Sequence, residues 1–343
     1  MADSDRLAKK RATTLKDIAR ATSLSVSTVS RALSQNTSIP EATRQKVIEA
    51  AEKLSYRPNA QARALRKSRT DTIGVIIPNI RNPYFAALAT AIQTAAREAG
   101  VSTILTNSEE DPEILARSLE IMDDQRLDGI IVVPHMQTEE KVTELVGRGV
   151  PIVLADRTLG NPDIASVCSD PLPGMTAAVD LYAGTGLKVG YLSGPQDTST
   201  GRERLAAFRD LCAERGIRDT VIYFGGYRQK AGYEGVKELL GQGANAILAG
   251  DSMMTIGALL AIHELDLRLG EELQLIGFDN NPAFRLQNPA LTIIDQHVEE
   301  MGAAAFASLQ TIIAGESPEV VQIRIPTTLT INGSTRRCAE ADQ

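Results

Sequence analysis

Residues 14–33 read "TLKDIARATSLSVSTVSRAL", and this stretch decides how the chain begins to fold. Thr14 stands before Leu15 with Asp17 in the first turn. Leu15, Ile18 and Ala19 then recur at helical spacing, with Ala21 and Thr22 at the end, which predicts a helix of about two turns. "SLS" interrupts the pattern with hydroxyls suited to capping. Val26, Val29 and Leu33 mark a second helix, whose opposite face shows Ser27, Thr28, Ser30 and Arg31. Further on, Pro40 and Glu41 suit a first turn, and Val47, Ile48, Ala51 and Leu54 make a third apolar stripe. Helices this short are marginal alone. The three stripes are therefore expected to be buried against one another.

Charge sets this segment apart from the rest of the chain. Residues 1–70 carry 15 Lys or Arg against 6 Asp or Glu, a net of +9, whereas residues 71–343 carry 21 against 37, a net of −16. A basic head on an acidic body directs any polyanion to the head alone. At 343 residues the chain exceeds what one core usually organises, so more than one compact unit is expected. No apolar run reaches the roughly 18 to 20 residues of a membrane span, and "MADSDRLAKKR" lacks the apolar centre of a secretory signal, so a cytoplasmic protein is expected. Cys168, Cys212 and Cys338 are odd in number and far apart, which argues against a disulfide framework or a thiolate metal site. No metal and no cofactor are expected.

A basic three-helix unit of this kind is expected to be a helix-turn-helix, whose second helix lies in the major groove of DNA. Small hydroxyl residues on its exposed face let the backbone come close, and Arg31 can reach a guanine edge or a phosphate. After Tyr56-Arg57-Pro58 comes "NAQARALRKSRT", alanine-rich and basic, in which Leu65 has no core of its own to join. "TLKDIARATSLSVSTVSRAL", "YRPNAQARAL" and "IGVIIPNIRNPYF" together resemble the LacI family of bacterial transcription regulators, over nearly the whole chain from Thr14 to about Asn332. The resemblance implies double-stranded operator DNA of near-palindromic sequence as partner, bound by a homodimer associated with the nucleoid. The implied DNA contacts are Thr14, Leu15, Ser25, Val26, Ser27, Thr28, Ser30 and Arg31 from the head, with Asn59, Ala62 and Leu65 from a hinge helix. That hinge helix would form only on the operator, paired with its twin, with Leu65 wedged into the minor groove. A lone helix of ~9 residues is marginal in water and needs such pairing.

From residue 72 apolar strands alternate with helical stretches. "IGVIIP", "STILTN", "GIIVVP", "PIVLA", "KVGYLSG", "TVIYFGG", "NAILAG" and "LQLIGFDN" read as strands, and the segments from Phe85 to Ala99, Ile114 to Gln125, Arg202 to Glu214 and Met254 to Leu265 as helices. Strands separated by helices imply right-handed crossovers and parallel sheets, and eight strands suit two sheets better than one. Ligands of such folds bind in the loops after the strands. Those loops carry Asn82, Tyr84 and Phe85 in "NIRNPYF", Asp156 and Arg157 in "LADR", Arg202 in "TGRER", Tyr227 in "GGYRQ", Asp251 in "AGDS", Asp279 in "GFDN" and Gln296 in "IDQH". A polyol needs this mixture: rings lie on its C–H faces, carboxylates accept from paired hydroxyls, and guanidinium forks donate to its oxygens.

These loops are also similar to those of periplasmic sugar-binding proteins, and each of these loop residues falls where the ribose-binding member holds a ligand contact. Tyr84 and Tyr227 stand where that protein has phenylalanines, and Asp251 where it has an asparagine. The fold implied is an N-terminal all-α helix-turn-helix domain with a hinge helix, followed by a two-lobed α/β periplasmic-binding-protein-like domain of two parallel-sheet, Rossmann-like subdomains. Its expected boundaries are 12–58 for the DNA-binding domain, 59–70 for the hinge, 71–170 with 297–326 for the first subdomain, and 171–296 with 327–336 for the second. Asp156, Asp251 and Asp279 against Arg157 and Arg202 leave a local charge of −1, which favours a neutral sugar over a phosphorylated one. The resemblance to the ribose-binding member implies ribose or a related pentose or nucleoside. A purine or phosphosugar acting as corepressor is the alternative. Purine-binding relatives place arginines where this chain has Thr198 and Arg204, and one of the two is missing. "GTGLKVGYL" also lacks the histidine usual before this strand. No enzyme signature is present: His135, His263 and His297 are scattered outside any HExxH frame, "GYLSGP" is not a nucleophile elbow, and no GK[ST] phosphate loop occurs. A solute-binding protein serving a transporter would need a signal peptide and no basic head.

Overall fold

A computed structural model of the chain describes residues 13–34, 37–56, 69–317 and 321–335. The chain separates into two units, residues 1–70 and 71–343.

The head consists of α1 (Leu15–Thr22), α2 (Val26–Leu33) and α3 (Glu41–Lys53). Its local signals are all used. The Thr14 backbone N–H and hydroxyl both donate to the Asp17 carboxylate, at 2.9 and 2.7 Å, which holds the first turn of α1. Ser23, at φ 57° in the left-handed region, ends that helix. The Ser25 hydroxyl accepts the Thr28 N–H at 3.1 Å and starts α2. The core is Ile18, Ala19, Val29, Ala32, Ile39, Val47 and Ala51, with Leu15, Leu24, Leu33 and Tyr56 packed on its margin. The third stripe therefore buries Val47 and Ala51, while Ile48 is half-buried and Leu54 exposed.

The second unit holds two six-stranded sheets. β1 (Thr72–Ile77), β2 (Ser102–Asn107), β3 (Gly129–Val132), β4 (Ile152–Ala155), β5 (Ser166–Asp170) and β11 (Gln322–Pro326) lie in the order β11-β5-β4-β3-β1-β2. β6 (Val189–Ser193), β7 (Thr220–Phe224), β8 (Ala246–Ala249), β9 (Gln274–Phe278), β10 (Thr292–Asp295) and β12 (Thr328–Thr330) lie in the order β12-β10-β9-β8-β6-β7. All neighbours are parallel except β10 and β12. The two orders match position by position, so each lobe repeats the other's topology except in the direction of the outermost strand, β12. Central strands sandwiched between helices read as continuous apolar runs, which is why "IGVIIP" and "GIIVVP" stood out. β5, β10, β11 and β12 add to the eight strands expected from the sequence.

Helices α4 (Pro83–Glu98), α5 (Pro112–Asp124), α6 (Glu139–Gly147) and α12 (Val298–Ile313) belong to the first sheet. α7 (Leu172–Asp180), α8 (Ser199–Glu214), α9 (Gln229–Gly241), α10 (Ser252–Glu264) and the single turn α11 (Pro282–Arg285) belong to the second. The four helices foreseen begin two or three residues earlier than their apolar periodicity suggests. Their caps explain the difference: Asn82, Asp111, Thr198 and Asp251 accept first-turn N–H groups at 3.1, 2.8, 3.1 and 2.8 Å. α12 follows a strand of the second sheet yet packs Met301, Ala305, Phe306 and Leu309 into the core of the first. The chain thus passes between the lobes three times: after β5, after β10, and between β11 and β12. At the last crossing only Thr327 intervenes. Its hydroxyl donates to the Asp170 carbonyl at 2.9 Å and accepts the Gly174 N–H at 3.0 Å. A Cβ at Gly174 would come within 2.6 Å of that hydroxyl.

Among the described residues Cys168 and Cys212 are buried free thiols; Cys338 lies outside them. No helix among them is long and apolar enough to cross a membrane. No group of three or more His, Cys, Asp or Glu among them is placed to hold a metal.

Candidate functional site

A cavity opens where the carboxyl ends of the strands of the two sheets face each other. Asn82 caps α4, and Tyr84 and Phe85 lie in its first turn. Asp156 and Arg157 follow β4, Tyr227 follows β7, Asp251 follows β8, Asp279 follows β9 and Gln296 follows β10; all line this one cavity. The structure thus brings together nine of the ten ligand residues expected from the sequence. Arg202 is not among them. Its side chain is exposed, one guanidinium nitrogen on the Gln196 carbonyl at 3.1 Å and the other 3.8 Å from Met136 Sδ. Arg204 lines the cavity instead, with Thr200. Residues two apart on a helix point about 200° apart, so only one of the two arginines can face inward. The stripe Leu205, Phe208, Leu211 and Cys212, which α8 buries in the second sheet's core, identifies the inward face as that of Arg204.

The lining groups bond one another. The Tyr84 hydroxyl donates to Asp156 at 2.7 Å. Arg157 gives both terminal nitrogens to Glu110, each at 2.8 Å. Its guanidinium lies over the rings of Phe85 and Tyr227, 5.7 and 5.5 Å from their centroids. Arg157 Nε has no hydrogen-bond acceptor. Arg204 donates to the Gly250 carbonyl at 2.7 Å and to Gln296 at 2.6 Å, and stacks over Phe278 at 4.1 Å. The Gln296 amide in turn donates to Asp279, and Ser252 donates to Asn82 at 3.1 Å across the two lobes. The enclosed space is about 20 Å³. That is room for roughly one water molecule.

Burial dominates the electrostatics. It pushes the Asp251 carboxyl up to about 7 and that of Asp279 up to about 6. Asp156 is also raised by burial, with Arg157 and Arg204 pulling it back. The hydroxyls of Tyr84 and Tyr227 are raised for the same reason and stay neutral. Asp156 and Asp279 share a further property: both stand in the left-handed region, at φ 65° and 72°. They follow β4 and β9, which hold the same position in their respective sheets. Non-glycine residues in this conformation concentrate at functional sites, where surrounding structure holds them.

In the head, α2 presents Val26, Ser27 and Arg31 as exposed residues, with Thr28 and Ser30 half-buried. The Ser25 hydroxyl lies 2.8 Å from those of both Ser27 and Thr28, so the start of α2 carries a cluster of hydroxyls beside an exposed valine. Leu15 is half-buried on the head core, and the Thr14 hydroxyl is occupied by Asp17. Asn59, Ala62 and Leu65 lie outside the described residues.

The sequence profile of bacterial regulatory proteins of the lacI family matches residues 14–59. That of the periplasmic binding proteins and sugar binding domain of the LacI family matches residues 70–331. Catabolite control protein A of Priestia megaterium is 32% identical over 94% of this chain and 99% of its own length. The transcriptional repressor PurR of Klebsiella pneumoniae is 30% identical over 91% of this chain and 94% of its own. A solved structure of a probable LacI family transcriptional regulator from Corynebacterium glutamicum superposes with a TM-score of 0.73 at 43% identity, covering 78% of this chain and all of that one. The chain belongs to the LacI family: a helix-turn-helix head followed by a two-lobed periplasmic-binding-protein-like domain. It is a DNA-binding repressor under allosteric control by a ligand, and not an enzyme.

Proposed function

We propose that this repressor controls genes of sugar uptake and catabolism in the bacterial cytoplasm, as a homodimer on a near-palindromic operator. Its effector is a small neutral sugar, with D-ribose or a related pentose or nucleoside as first candidate. The observation that carries this reading is the charge of the enclosed cavity. Asp156, Asp251 and Asp279, with Glu110 at the edge, face only Arg157 and Arg204, and Arg81 is exposed away from them. An anionic ligand would be desolvated among unmatched carboxylates, whereas sugar hydroxyls can donate to them. Thr198, where a purine-type site would hold an arginine, uses its hydroxyl to cap α8.

A cavity of about 20 Å³ is far below the ~300 Å³ of an ordinary small-ligand pocket, so the lobes part about their three crossovers to admit a sugar. Its hydroxyls then replace internal partners: Asp279 accepts in place of the Gln296 amide, and Arg204 donates a hydrogen bond to the ring or its substituents. In a dimer the changed lobe angle is felt at the start of β1, immediately after the hinge segment 59–70. Pulling the two hinge segments apart unpairs them and withdraws Leu65 from the minor groove. The coupling is reciprocal and of the usual size, ~1–3 kcal/mol, or about 5- to 150-fold in affinity.

Calorimetry of the purified protein against ribose, other pentoses, uridine, hypoxanthine and ribose phosphate tests the effector. A neutral sugar should bind and change operator affinity within that range. Binding of hypoxanthine or ribose phosphate alone would overturn it in favour of the corepressor reading.

A further inference from the structure

We infer that Glu110, which stands outside the enclosed cavity, is a specificity-determining residue: by occupying the guanidinium of Arg157 it makes the cavity prefer neutral ligands to anionic ones of the same skeleton. This rests on the neutral-sugar reading of the cavity.

Arg157 lines the enclosed cavity, whereas Glu110 lines an open groove that shares Tyr227 with it; the arginine side chain is 2% exposed and the glutamate 31%. The carboxylate thus reaches the arginine from the solvent side. It accepts from both terminal nitrogens, each at 2.8 Å, in the two-pronged geometry that a ligand carboxylate or phosphate would otherwise take. What remains is the Nε–H, which has no acceptor among the described residues, with Asp156 Oδ2 3.5 Å away. That donor suits a hydroxyl or ring oxygen and leaves no unbalanced cation.

Satisfying a buried arginine does not require a carboxylate. Arg204, in the same cavity, gives its terminal nitrogens to the Gly250 carbonyl and the Gln296 amide oxygen, both neutral. Arg157 is given a charge instead. The backbone that supplies it is unusual, because Glu109 and Glu110 both stand in the left-handed region, at φ 57° and 59°. Non-glycine residues keep this conformation where their surroundings hold them. Here Ser108 donates to the Ile77 carbonyl at 2.9 Å on one side, and Asp111 caps α5 on the other. Replacing Glu110 by Gln keeps its shape but offers one acceptor oxygen to two nitrogens, so a terminal nitrogen and a positive charge are released to the ligand.

The test is calorimetry of the full chain with two pairs of matched skeleton, D-glucose with D-glucuronate and D-ribose with ribose 5-phosphate. It compares wild type, Glu110→Gln and the double variant Glu110→Gln/Arg157→Gln. Glu110→Gln should raise affinity for the anionic member relative to its neutral partner about tenfold or more. The double variant leaves no orphaned charge in this pair and should fold, and it should return the ratio toward wild type. Cooperative melting checks that each protein is folded. The inference is overturned if Glu110→Gln weakens both members alike, as the loss of a purely structural tie would, or if the gain survives the removal of Arg157. Neutral sugars that bind wild type with a ratio unmoved in Glu110→Gln leave the sugar reading standing without it. A wild type that prefers the anionic member, with the ratio still shifted in Glu110→Gln, does the reverse; no binding by any probe to any of the three proteins removes both.

Discussion

The head and the body recognise their partners in opposite ways. In the head the polar residues of α2 face solvent: Ser27 and Arg31 are exposed beside Val26, and the seven-residue core behind them does nothing but hold the helix in place. In the body the polar residues face inward, and Arg157, Arg204, Asp251 and Asp279 are each less than 10% exposed and held by bonds to Glu110, to Gln296 and to backbone groups. Recognition by an exposed face costs little folding energy and leaves side chains free for the partner. Recognition by enclosure ties each recognising group into the fold, so that a change in one is felt by the others. Damage to the head should therefore be specific to DNA, and damage to the cavity should cost both ligand and stability.

The largest effect is expected for Arg204→Ala. It removes a buried guanidinium that faces Asp156 and Asp279 and leaves the Gly250 carbonyl and Gln296 without their donor. A loss of about 3 to 5 kcal/mol in body stability is expected, with sugar binding abolished. Thermal melting of a 71–343 fragment within a degree of wild type would contradict the enclosure argument. Next comes Ile18→Ala. Ile18 is completely buried in the small head core, and ~2–5 kcal/mol is a large part of what so small a unit has. Operator binding should be lost while calorimetric sugar affinity is unchanged; parallel loss of both would break the contrast.

Arg31→Ala should act more gently, at about 1 to 3 kcal/mol of operator affinity with relaxed preference at a single base pair, because Arg31 is exposed and its removal orphans no group among the described residues. A uniform loss across operator variants would make it a phosphate contact. The smallest effect concerns protons. In the closed body Asp251 and Asp279 titrate near 7 and 6, above the range of an unfolded carboxylate. The folded form therefore holds the extra protons. Their contribution to its stability is full at acid pH and is lost as pH rises through 6 to 7. Sugar hydroxyls donating to these carboxylates favour the ionised form, so binding near pH 6 should release protons and binding above about pH 8 should not. Heats measured near pH 6 in buffers of different ionisation enthalpy must then differ; identical heats would remove the carboxylates from the ligand's reach.

The same contrast explains what could be read from the sequence. The helices of the head were legible because their determinants are local: Thr14 with Asp17, Ser25 with Thr28, and apolar residues three or four apart. In the body the central strands and the strand-end loops were legible, since apolar runs and the polar residues beyond them are adjacent in sequence. β11, "QIRIP", alternates polar with apolar because it is an edge strand, and β5, "SVCSD", carries little apolar character of its own; β11 is a strand because the distant β5 pairs with it, and β5 because it lies between β4 and β11. Arg202 and Arg204 look alike in "GRERLAAF", and only the side of α8 that faces the sheet separates them. Glu110, which occupies Arg157, lies 47 residues from it and carries no local signal.

Thr327 has a mechanical consequence. Three chain crossings run side by side between the lobes, and at one of them a single residue, tied on both sides to Asp170 and Gly174, spans the gap. Sliding one lobe past the other would tear both ties, whereas twisting about the crossings stretches neither by much. Twisting is therefore the lobe motion that these two ties resist least. If the effector acts through the lobe angle proposed above, the sign of that rotation decides between releasing the operator and tightening the grip on it.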